Sequence, residues 1–461
     1  MMTQQLIFTS DQNQAFEQFL VFLRAHEARK VWVLTGFAGT GKSTLIAHIV
    51  RQMHQEKLSF KLLAPTGRAA KVLSNYAGFP ASTIHRHIYF SGGELSNQGL
   101  SLAKNLHKNM LFFVDEASML PASASFEANN VLEDLLNYVY GGENCHLVFI
   151  GDPGQLPPVG QEHSIALLPK LFLEAFPSLF IWHSHLSQVV RVKENSGILS
   201  VATFLRQKQT YILPILPKLK NLEDATVLQI HGGEFQDYLE QSIADVGTDE
   251  TILLTLANKR ANQWNLEIRN RLFYREEVLE KGDVLMVVKN NYFWLDPSSK
   301  MGFIANGELA RIERVKKFEA YYGFEFAELD LKFVDYPDQG SITCKVHLQS
   351  LLEEGPNLNR DLMRKLFYAI EAEHADIKNK QKRYKEVLKN PYFNALQIKY
   401  AHAVTVHKAQ GGQWAHVYVD YGFVPEERKN AAYLRWLYTA LTRASEKLYL
   451  LNFPEDFFET N

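Results

Sequence analysis

The sequence predicts an α/β protein with two parallel-sheet units and a β-barrel inserted into the second unit. Short apolar runs alternate with amphipathic helical patterns, which is typical of parallel sheets flanked by helices. Between residues 282 and 343 the pattern changes to short alternating strands, such as 284–288, 303–304, 309–315 and 324–334. That change indicates a small barrel. The charged, helix-favouring residues 360–389 follow it.

Composition and charge narrow the class of protein. The chain has 461 residues, 46% of them hydrophobic, and a net charge of −2, which is ordinary for a globular protein of several domains. Its two cysteines, Cys145 and Cys344, lie far apart, so neither a disulfide framework nor a zinc site is indicated. No leader pattern and no run of membrane-spanning length is present, so we expect a cytoplasmic protein without a membrane partner.

Residues 36–43 (GFAGTGKS) carry the first functional motif. They fit the pattern of a phosphate-binding loop, and they lie between an apolar run, 31–34, and a helical pattern that begins at Thr44. Glycines allow the loop to turn its N–H groups inward, and the following helix directs its positive end at the phosphates. A glycine-rich turn with a surface lysine is the alternative. The flanking pattern favours a nucleoside triphosphate site, with ATP as the expected nucleotide.

Two later runs also end in polar residues. The run 111–114 leads into Asp115 and Glu116, and the run 146–150 leads into a stiff Gly-Pro loop that contains Gln155. Because ligands bind at the carboxyl ends of parallel strands, we expect these side chains near the phosphates. Asp115 can enter a Mg²⁺ shell, and Glu116 can accept a proton from water. For the loop around Gln155 a purely structural rigid turn remains an alternative.

Other segments resemble ligand-facing helix starts. Gln12 lies at the start of an amphipathic run, where it is either an adenine-reading amide or a solvated residue. Segments 65–71 and 81–85 open helices after a strand or a turn, and 258–262 does the same after the strand 251–254. Residues 212–217 are rich in proline and predict a linker. The strand 448–451 is expected to close the second sheet.

Five blocks, taken in order, resemble the motifs of superfamily 1 helicases. They are GFAGTGKST, FVDEAS, GDPGQLPPV, AVTVHKAQG and YTALTRAS. The block AVTVHKAQG is similar to the RecD-like and Dda-like branch, class B of the superfamily. The resemblance implies two RecA-like P-loop domains with ATP in the cleft between them, a small wedge insertion in the first domain and an SH3-like barrel in the second. It also implies an ATP-dependent DNA helicase that moves 5′→3′ on single-stranded DNA.

The same resemblance divides the chain. It assigns 1–84 and 111–180 to RecA-like domain 1A, 85–110 to the wedge or pin insertion 1B, 181–281 and 396–461 to RecA-like domain 2A, and 282–395 to barrel domain 2B with a helical arm at 359–390. The hairpin around 91–93 resembles in position the strand-separating pin of this branch.

The resemblance also assigns roles at the ATP site. The catalytic residues that it implies are Lys42, Asp115, Glu116, Gln155, Arg191 and Arg443. The nucleotide-binding residues are Gln12, Gly36, Gly39, Thr40, Gly41, Lys42, Ser43, Thr44, Gln410 and Gly411, and Ser43 with Asp115 would hold Mg²⁺. Arg191 and Arg443 resemble arginines that the second domain supplies to the transition state, where they stabilise charge.

A DNA track follows from the same comparison. Its implied residues are Pro65, Thr66, Thr83, His85, Pro157, Thr255, Asn258, Thr405 and His407. Hydroxyls and helix starts that grip phosphates suit binding without sequence preference. Four aromatic residues are weaker candidates for base stacking: Tyr89, Phe90, Tyr292 and Phe293. The expected partners are single-stranded DNA and junctions of single-stranded with double-stranded DNA, and the expected motor is a monomer.

Some features depart from the family pattern or leave alternatives. The block that ends at Arg191 (LSQVVR) is looser than its relatives, so Arg191 is a weaker assignment than Arg443. The segment 360–389 has no motif, and a solvated helical hairpin is preferred there to a binding arm. The alternatives to a DNA helicase are a translocase that strips proteins from DNA, an RNA helicase, and a nucleotide-gated scaffold without productive turnover.

Overall fold

A computed structural model describes residues 8–90, 101–122, 130–190, 197–208, 218–219, 226–296, 299 and 301–458. Its strands form two parallel sheets, one closed barrel and a two-stranded ribbon. The predicted α/β class, with two RecA-like units and an SH3-like barrel, is confirmed. Three predicted features lie outside the described residues: Arg191, the pin tip at 91–93 and the linker at 212–217.

The first part of the chain builds the first sheet. Its elements are α1 (Ser10–Arg24), β1 (Lys30–Gly36), α2 (Lys42–Gln55), β2 (Ser59–Ala64), α3 (Gly67–Ala77), β3 (Ala81–Thr83), α4 (Ile84–Ile88), β4 (Tyr89–Phe90), β5 (Ser101–Leu102), β6 (Met110–Val114), α5 (Val131–Tyr140), β7 (His146–Gly151), α6 (Pro169–Ala175) and β8 (Phe180–Leu186). Six parallel strands lie in the order β3-β2-β6-β7-β1-β8, and β4 pairs with β5 in the separate ribbon.

Apolar residues on both faces explain why this sheet forms in the interior. Along β1, Val31 and Val33 pack into the core on one face, and Trp32 and Leu34 pack into the core on the other. A strand buried on both faces needs such a continuous apolar run. The carboxyl ends of β1, β6 and β7 therefore lie side by side at one edge of the sheet.

The second part of the chain contains the second sheet and the barrel. Its elements are α7 (Gly197–Lys208), β9 (Val227–Ile230), α8 (Phe235–Val246), β10 (Thr251–Thr255), α9 (Asn258–Glu267), β11 (Val284–Val287), β12 (Leu309–Tyr321), β13 (Phe324–Phe333), β14 (Ile342–His347), α10 (Arg360–Glu373), α11 (Lys380–Lys389), β15 (Leu396–Tyr400), β16 (Ala403–Thr405), α12 (Val406–Ala409), β17 (Trp414–Asp420), α13 (Ala431–Leu441) and β18 (Ala444–Leu451).

The second sheet has five parallel strands in the order β16-β10-β17-β18-β9. The expectation that strand 448–451 closes this sheet is wrong, because β18 lies between β17 and β9. The edge position belongs to β9, a four-residue strand. An edge strand this short has little apolar pattern to reveal it.

The barrel closes through β11, β12, β13, β14 and β15. Neighbouring strands are antiparallel except β14 and β15, which run parallel. The predicted barrel strand at 303–304 is wrong, since Ile304 makes only a single bridge to Asn291. Gly307, with φ +92°, turns the chain directly afterwards into β12.

Two strands belong to a different domain from the one predicted for them. β8 pairs along its whole length with β1, so the boundary drawn at 180 cuts through the edge of the first sheet. Its polar residues, which an edge strand tolerates, concealed it. β15 belongs to the barrel, so the boundary drawn at 396 lies too early. The other boundaries stay predictions.

The helical arm consists of α10 and α11, as predicted. Leu366 and Ile370 of α10 and Val387 of α11 pack against Phe324 and Phe326 of the barrel, and all five are buried. Among the described residues, no helix has the length and apolar character needed to cross a membrane.

Candidate active site

The phosphate loop connects β1 to α2. Gly39 and Gly41 take φ values of +75° and +79°, in the left-handed region that glycine adopts without strain. Thr40 is fully buried between them, and its hydroxyl donates to the carbonyl of Phe37 at 2.8 Å. Gly41 precedes the first residue of α2, so the positive end of that helix opens onto the loop. The loop therefore has the form of an anion cradle.

Lys42 lies over this cradle. Its ammonium donates to the carbonyls of Gly36 and Phe37 at 2.7 and 3.0 Å, so the side chain is folded across the loop. Ser43 and Thr44 follow in the exposed first turn of α2. These positions fit a triphosphate, because backbone N–H groups, one ammonium and one hydroxyl converge on the same concave surface.

Asp115 and Glu116 stand at the end of β6, beside the loop. The Asp115 carboxylate accepts from the backbone N–H of Glu116 at 2.9 Å and from the Tyr76 hydroxyl at 2.5 Å. Ser43 also lies close enough to the Tyr76 hydroxyl to lower its pKa, although burial and Asp115 raise that pKa well above its ordinary value. Tyr76 thus lies beside both predicted magnesium ligands, whose oxygen atoms are of the kind that Mg²⁺ prefers. Sequence reasoning missed Tyr76, which lies on α3 without a motif of its own.

Burial raises the pKa of both carboxyl groups above their ordinary values. For Glu116 the neighbouring Asp115 raises the pKa further, while Arg443 and Lys42 lower it. Glu116 itself has φ +51°, a left-handed conformation that is uncommon outside glycine. Strained residues of this kind concentrate at functional sites. The arrangement suits a carboxylate that must take up a proton.

Arg443 faces Glu116 from the second domain. One guanidinium nitrogen lies 3.9 Å from the Glu116 carboxylate, and the arginine side chain is 4% exposed. Its hydrogen bonds are donated within the second domain, to the carbonyls of Thr439 and Gly412 and to the Thr442 hydroxyl. The guanidinium is therefore fixed at the mouth of the cleft, where it can meet charge that develops on a phosphate.

The loop after β7 is held from the second domain at Leu156. Leu156 donates its N–H to the Thr439 hydroxyl at 2.9 Å and accepts from the Gln410 amide at 2.8 Å. Gln155, directly before Leu156, is buried, and its amide oxygen has no hydrogen-bond partner within the described ranges. A buried amide oxygen without a partner is costly, which is consistent with a group reserved for a ligand.

Two predicted nucleotide contacts have additional local roles. The Gln12 amide accepts from the N–H of Thr9 and donates to the carbonyl of Gly41 at 3.2 Å, so it caps α1 and touches the phosphate loop. Gly411 packs against the start of α3, where a Cβ atom would lie 2.7 Å from that of Ala69. Gln410 reaches Leu156, not the phosphate loop; its contact with a nucleotide stays a prediction.

The predicted DNA-contacting residues occupy helix starts. Thr66 and Thr83 cap α3 and α4, where their side-chain oxygens accept from the N–H groups of Ala69 and Arg86. Each hydroxyl proton is still available to a phosphate. Asn258 is the first residue of α9, and Thr405 precedes α12.

One assignment on this track is wrong. Thr255 is fully buried, and its hydroxyl donates inward to the carbonyl of Ala257 at 3.1 Å, so it presents nothing to a strand. Thr405 lies beside it in the sheet register.

The other positions, Pro65, His85, Pro157 and His407, are half-buried. Burial lowers the pKa of His85 and of His407, so both are neutral near pH 7.

Two matches to protein families cover the ends of the chain. Residues 8–229 match the AAA domain family, and residues 400–451 match the UvrD-like helicase C-terminal domain. By these two matches and by its motifs, the chain is similar to the superfamily 1 helicases. Within that superfamily it is similar to the RecD-like and Dda-like branch, which confirms the resemblance inferred from the motifs.

The individual relatives of this chain differ in length. It is 23% identical to the uncharacterised protein R530 of Acanthamoeba polyphaga mimivirus, over 96% of this chain and 99% of that protein. It is 33% identical to the ATP-dependent RecD2 DNA helicase of Deinococcus radiodurans, over 37% of this chain and 21% of that one. It is 26% identical to the ATP-dependent DNA helicase dda of Enterobacteria phage T4, over 66% and 67%.

Among solved structures, this chain is similar to that of a Pif1 helicase from Bacteroides in complex with ADP-AlF3 and single-stranded DNA. Its chain aligns over 99% of this chain and 95% of its own length, with a TM-score of 0.49 and 14% identity.

Proposed function

We propose that this protein is an ATP-dependent DNA helicase that moves 5′→3′ along single-stranded DNA and unwinds duplex DNA. The observation that carries the proposal is the approach of Arg443 to Glu116 across the cleft, at 3.9 Å. An arginine from one domain beside a carboxylate of the other links hydrolysis to cleft closure. The names of RecD2 and dda as DNA helicases support the choice of DNA.

Each step of hydrolysis has a residue suited to it. The loop N–H groups and Lys42 bind the phosphates of ATP. Ser43 and Asp115 would hold Mg²⁺, which neutralises phosphate charge. Glu116 takes a proton from the attacking water, and Gln155 orients that water or the γ-phosphate. Arg443 stabilises the charge that develops on the transferred group. Arg191 would add a second arginine.

Motion follows from the contacts of the loop after β7. Gln410 and Thr439 of the second domain hold Leu156, so a change at Gln155 is transmitted to the second domain. Closing and opening of the cleft then alternates the grip of Thr66 and Thr83 with that of Asn258 and Thr405. Since one chain supplies both walls of the cleft, we propose a monomeric motor. Separation of one base-pair step requires about 1.4 kcal/mol.

The test of the motor is Lys42→Ala. We expect this change to abolish DNA-stimulated ATP hydrolysis and unwinding together, because it removes the ammonium that faces the phosphates. Lys57→Ala, which removes an exposed lysine beyond the end of α2, is the matched control and should leave both activities unchanged. Unwinding that survived in Lys42→Ala would exclude the motor.

Direction and substrate need separate assays. Unwinding of a 5′-tailed duplex but not of a 3′-tailed duplex is expected from 5′→3′ movement. Preference for the 3′ tail would contradict that direction. Stronger stimulation of ATP hydrolysis by RNA than by DNA of equal length would favour an RNA helicase. DNA-stimulated ATP hydrolysis without unwinding would favour a translocase. A complete lack of ATP hydrolysis at saturating DNA would favour a scaffold.

A further inference from the structure

The helical arm contains a segment with an excess of positive charge, whereas the chain as a whole is nearly neutral. Residues 378–389 contain six lysines and arginines but one acid, Glu386, although the whole chain has a net charge of −2. No contact in the proposed hydrolysis cycle uses this segment. A local excess of positive charge on a nearly neutral protein is the electrostatic signature of a nucleic-acid surface.

Three lysines of α11 lie on the side of the helix that faces away from the core of the arm. Val387 is fully buried, and Arg383 pairs with Glu371 of α10 at 3.3 Å, so these two residues define the inward side. At 100° per residue, Lys382, Lys385 and Lys389 point the opposite way. We call these three lysines the basic face.

Acidic neighbours pair with one lysine of the basic face, Lys389, but not with Lys382 or Lys385. Glu371 is paired with Arg383, and Glu373 accepts from the Tyr322 hydroxyl at 2.7 Å, both on the inward side of the arm. Lys389 pairs with Glu386 of its own helix at 3.3 Å. Across the described part of the chain, Lys378, Lys382 and Lys385 have no ion pair.

The arm is fixed at a defined distance from the proposed DNA track. Its apolar residues pack on Phe324 and Phe326, at the beginning of β13. Just beyond the other end of β13, Asp335 pairs with Lys71 of α3 at 2.9 Å, near the cap Thr66. Ten residues of strand span about 30 Å. That length corresponds to roughly nine base pairs of duplex DNA, at 3.4 Å each.

We propose that the basic face binds the phosphate backbone of the duplex, several base pairs beyond the single-stranded track. The inference rests on the proposed helicase function and adds a second DNA contact to it. Lys382 and Lys389 are separated by about 10 Å along the helix axis. This separation matches three base-pair steps of one strand, so two or three phosphates can be neutralised together.

The test is the triple change Lys382→Gln, Lys385→Gln and Lys389→Gln. We measure binding to a 5′-tailed DNA with a duplex of about 20 base pairs, to one with about 5 base pairs, and to the single-stranded tail alone, over a range of salt concentrations. Each lost duplex phosphate contact lowers the log–log salt slope by about 0.9. For the triple variant, we expect the magnitude of the log–log salt slope to be smaller than that of the wild type by about 2 to 3 on the long duplex, and unchanged on the other two DNAs.

Matched controls separate this surface from the motor. A triple variant at the exposed lysines Lys57, Lys170 and Lys281 removes equal charge and should bind all three DNAs as the wild type does. ATP hydrolysis stimulated by single-stranded DNA should be unchanged in both variants, whereas Lys42→Ala abolishes it. Failure of the proposed function and failure of the basic face are thus distinguishable.

Three results would overturn the proposal. Unchanged salt slope on the long duplex would show that the basic face does not bind it. An equal loss on the short duplex and the single strand would place the lysines on the single-stranded track. Binding of an acidic peptide to the basic face, at a salt concentration that releases the duplex, would identify a protein as its partner.

Discussion

The hydroxyl of Tyr438 donates to the Asp152 carboxylate at 2.6 Å and also accepts the N–H of Ala38 at 2.9 Å. Tyr438 lies on α13 of the second domain, Asp152 in the loop after β7, and Ala38 in the phosphate loop. One buried hydroxyl therefore connects three parts of the cleft. Because Arg443 lies on the segment just after the same helix, a shift of the phosphate loop is transmitted to the arginine.

Tyr438→Phe should lower DNA-stimulated ATP turnover by about tenfold with little change in the KM for ATP. The change removes the connection but leaves the phosphate-binding groups in place, and a tenfold loss corresponds to about 1.4 kcal/mol of transition-state stabilisation. Steady-state kinetics with saturating single-stranded DNA measure it. Thermal unfolding should also shift, since Asp152 keeps a buried carboxylate with fewer partners.

Tyr433→Phe is the control on the same helix. Its hydroxyl is buried and has no hydrogen-bond partner among the described residues, so its removal should change neither turnover nor stability appreciably. If Tyr433→Phe lowered turnover as much as Tyr438→Phe, the effect would belong to packing of α13, and the connecting role of Tyr438 would be disproved.

The pH dependence of ATP hydrolysis should reflect the raised pKa of Glu116. A general base acts when it is ionised, so turnover should rise with pH through a pKa that burial has raised above the ordinary 4.5. Arg443 lowers this pKa, so in Arg443→Gln the residual turnover should rise at a higher pH than in the wild type. Single-turnover hydrolysis at saturating ATP, from about pH 5 to pH 8.5, measures the shift. Arg435→Gln, on the helix α13 that precedes Arg443, is the control; equal curves for the two variants would refute the pairing.

Glu308 should make the protein less stable as pH rises. Glu308 directly precedes β12 and is 3% exposed, because its carboxyl packs against the start of α3, where a Cβ on Gly67 would overlap it. Burial raises the pKa of Glu308 to about 8. Between about pH 4.5 and 8 the folded state keeps a proton that the unfolded state releases. The free energy of unfolding therefore falls with pH, by up to about 1.4 kcal/mol per unit.

Glu308→Gln removes that titration while it preserves the shape of the side chain. The fall in melting temperature between about pH 6 and pH 8.5 should be smaller in this variant than in the wild type, and Glu325→Gln, on the exposed barrel surface, should resemble the wild type. A variant with the full wild-type fall would show that the pKa of Glu308 is not raised.

Gly411→Ala should lower DNA-stimulated turnover by about tenfold or more. A Cβ there meets that of Ala69 at 2.7 Å, so the two domains must separate, and φ +74° adds about 1 kcal/mol of backbone strain. Gly78, just after α3, is left-handed with φ +80°, and an added Cβ would have no atom within 4 Å, so Gly78→Ala carries the strain without the clash. We expect Gly78→Ala to reduce only thermal stability. Normal turnover in Gly411→Ala would show that the cleft does not need this close approach.

The sequence by itself determined the parts of the site that depend on local chain order. A phosphate loop needs glycines and a lysine at fixed spacing, so residues 36–43 identified it without any tertiary contact. The same holds for Asp115 and Glu116, which directly follow an apolar strand. The barrel and the helical arm followed from changes in periodicity.

Only the tertiary structure decided which side chains meet across long sequence separations. Tyr438 and Asp152 are 286 residues apart, and Tyr76 donates to Asp115 from a helix without a motif. Burial, which no spacing reveals, turned Thr255 inward and raised the pKa of Glu308. The polar edge strand β8 was likewise concealed, because its place is set by pairing with β1 and not by its own composition. Local chemistry is encoded in neighbouring residues, whereas cleft contacts arise from the packing of two domains.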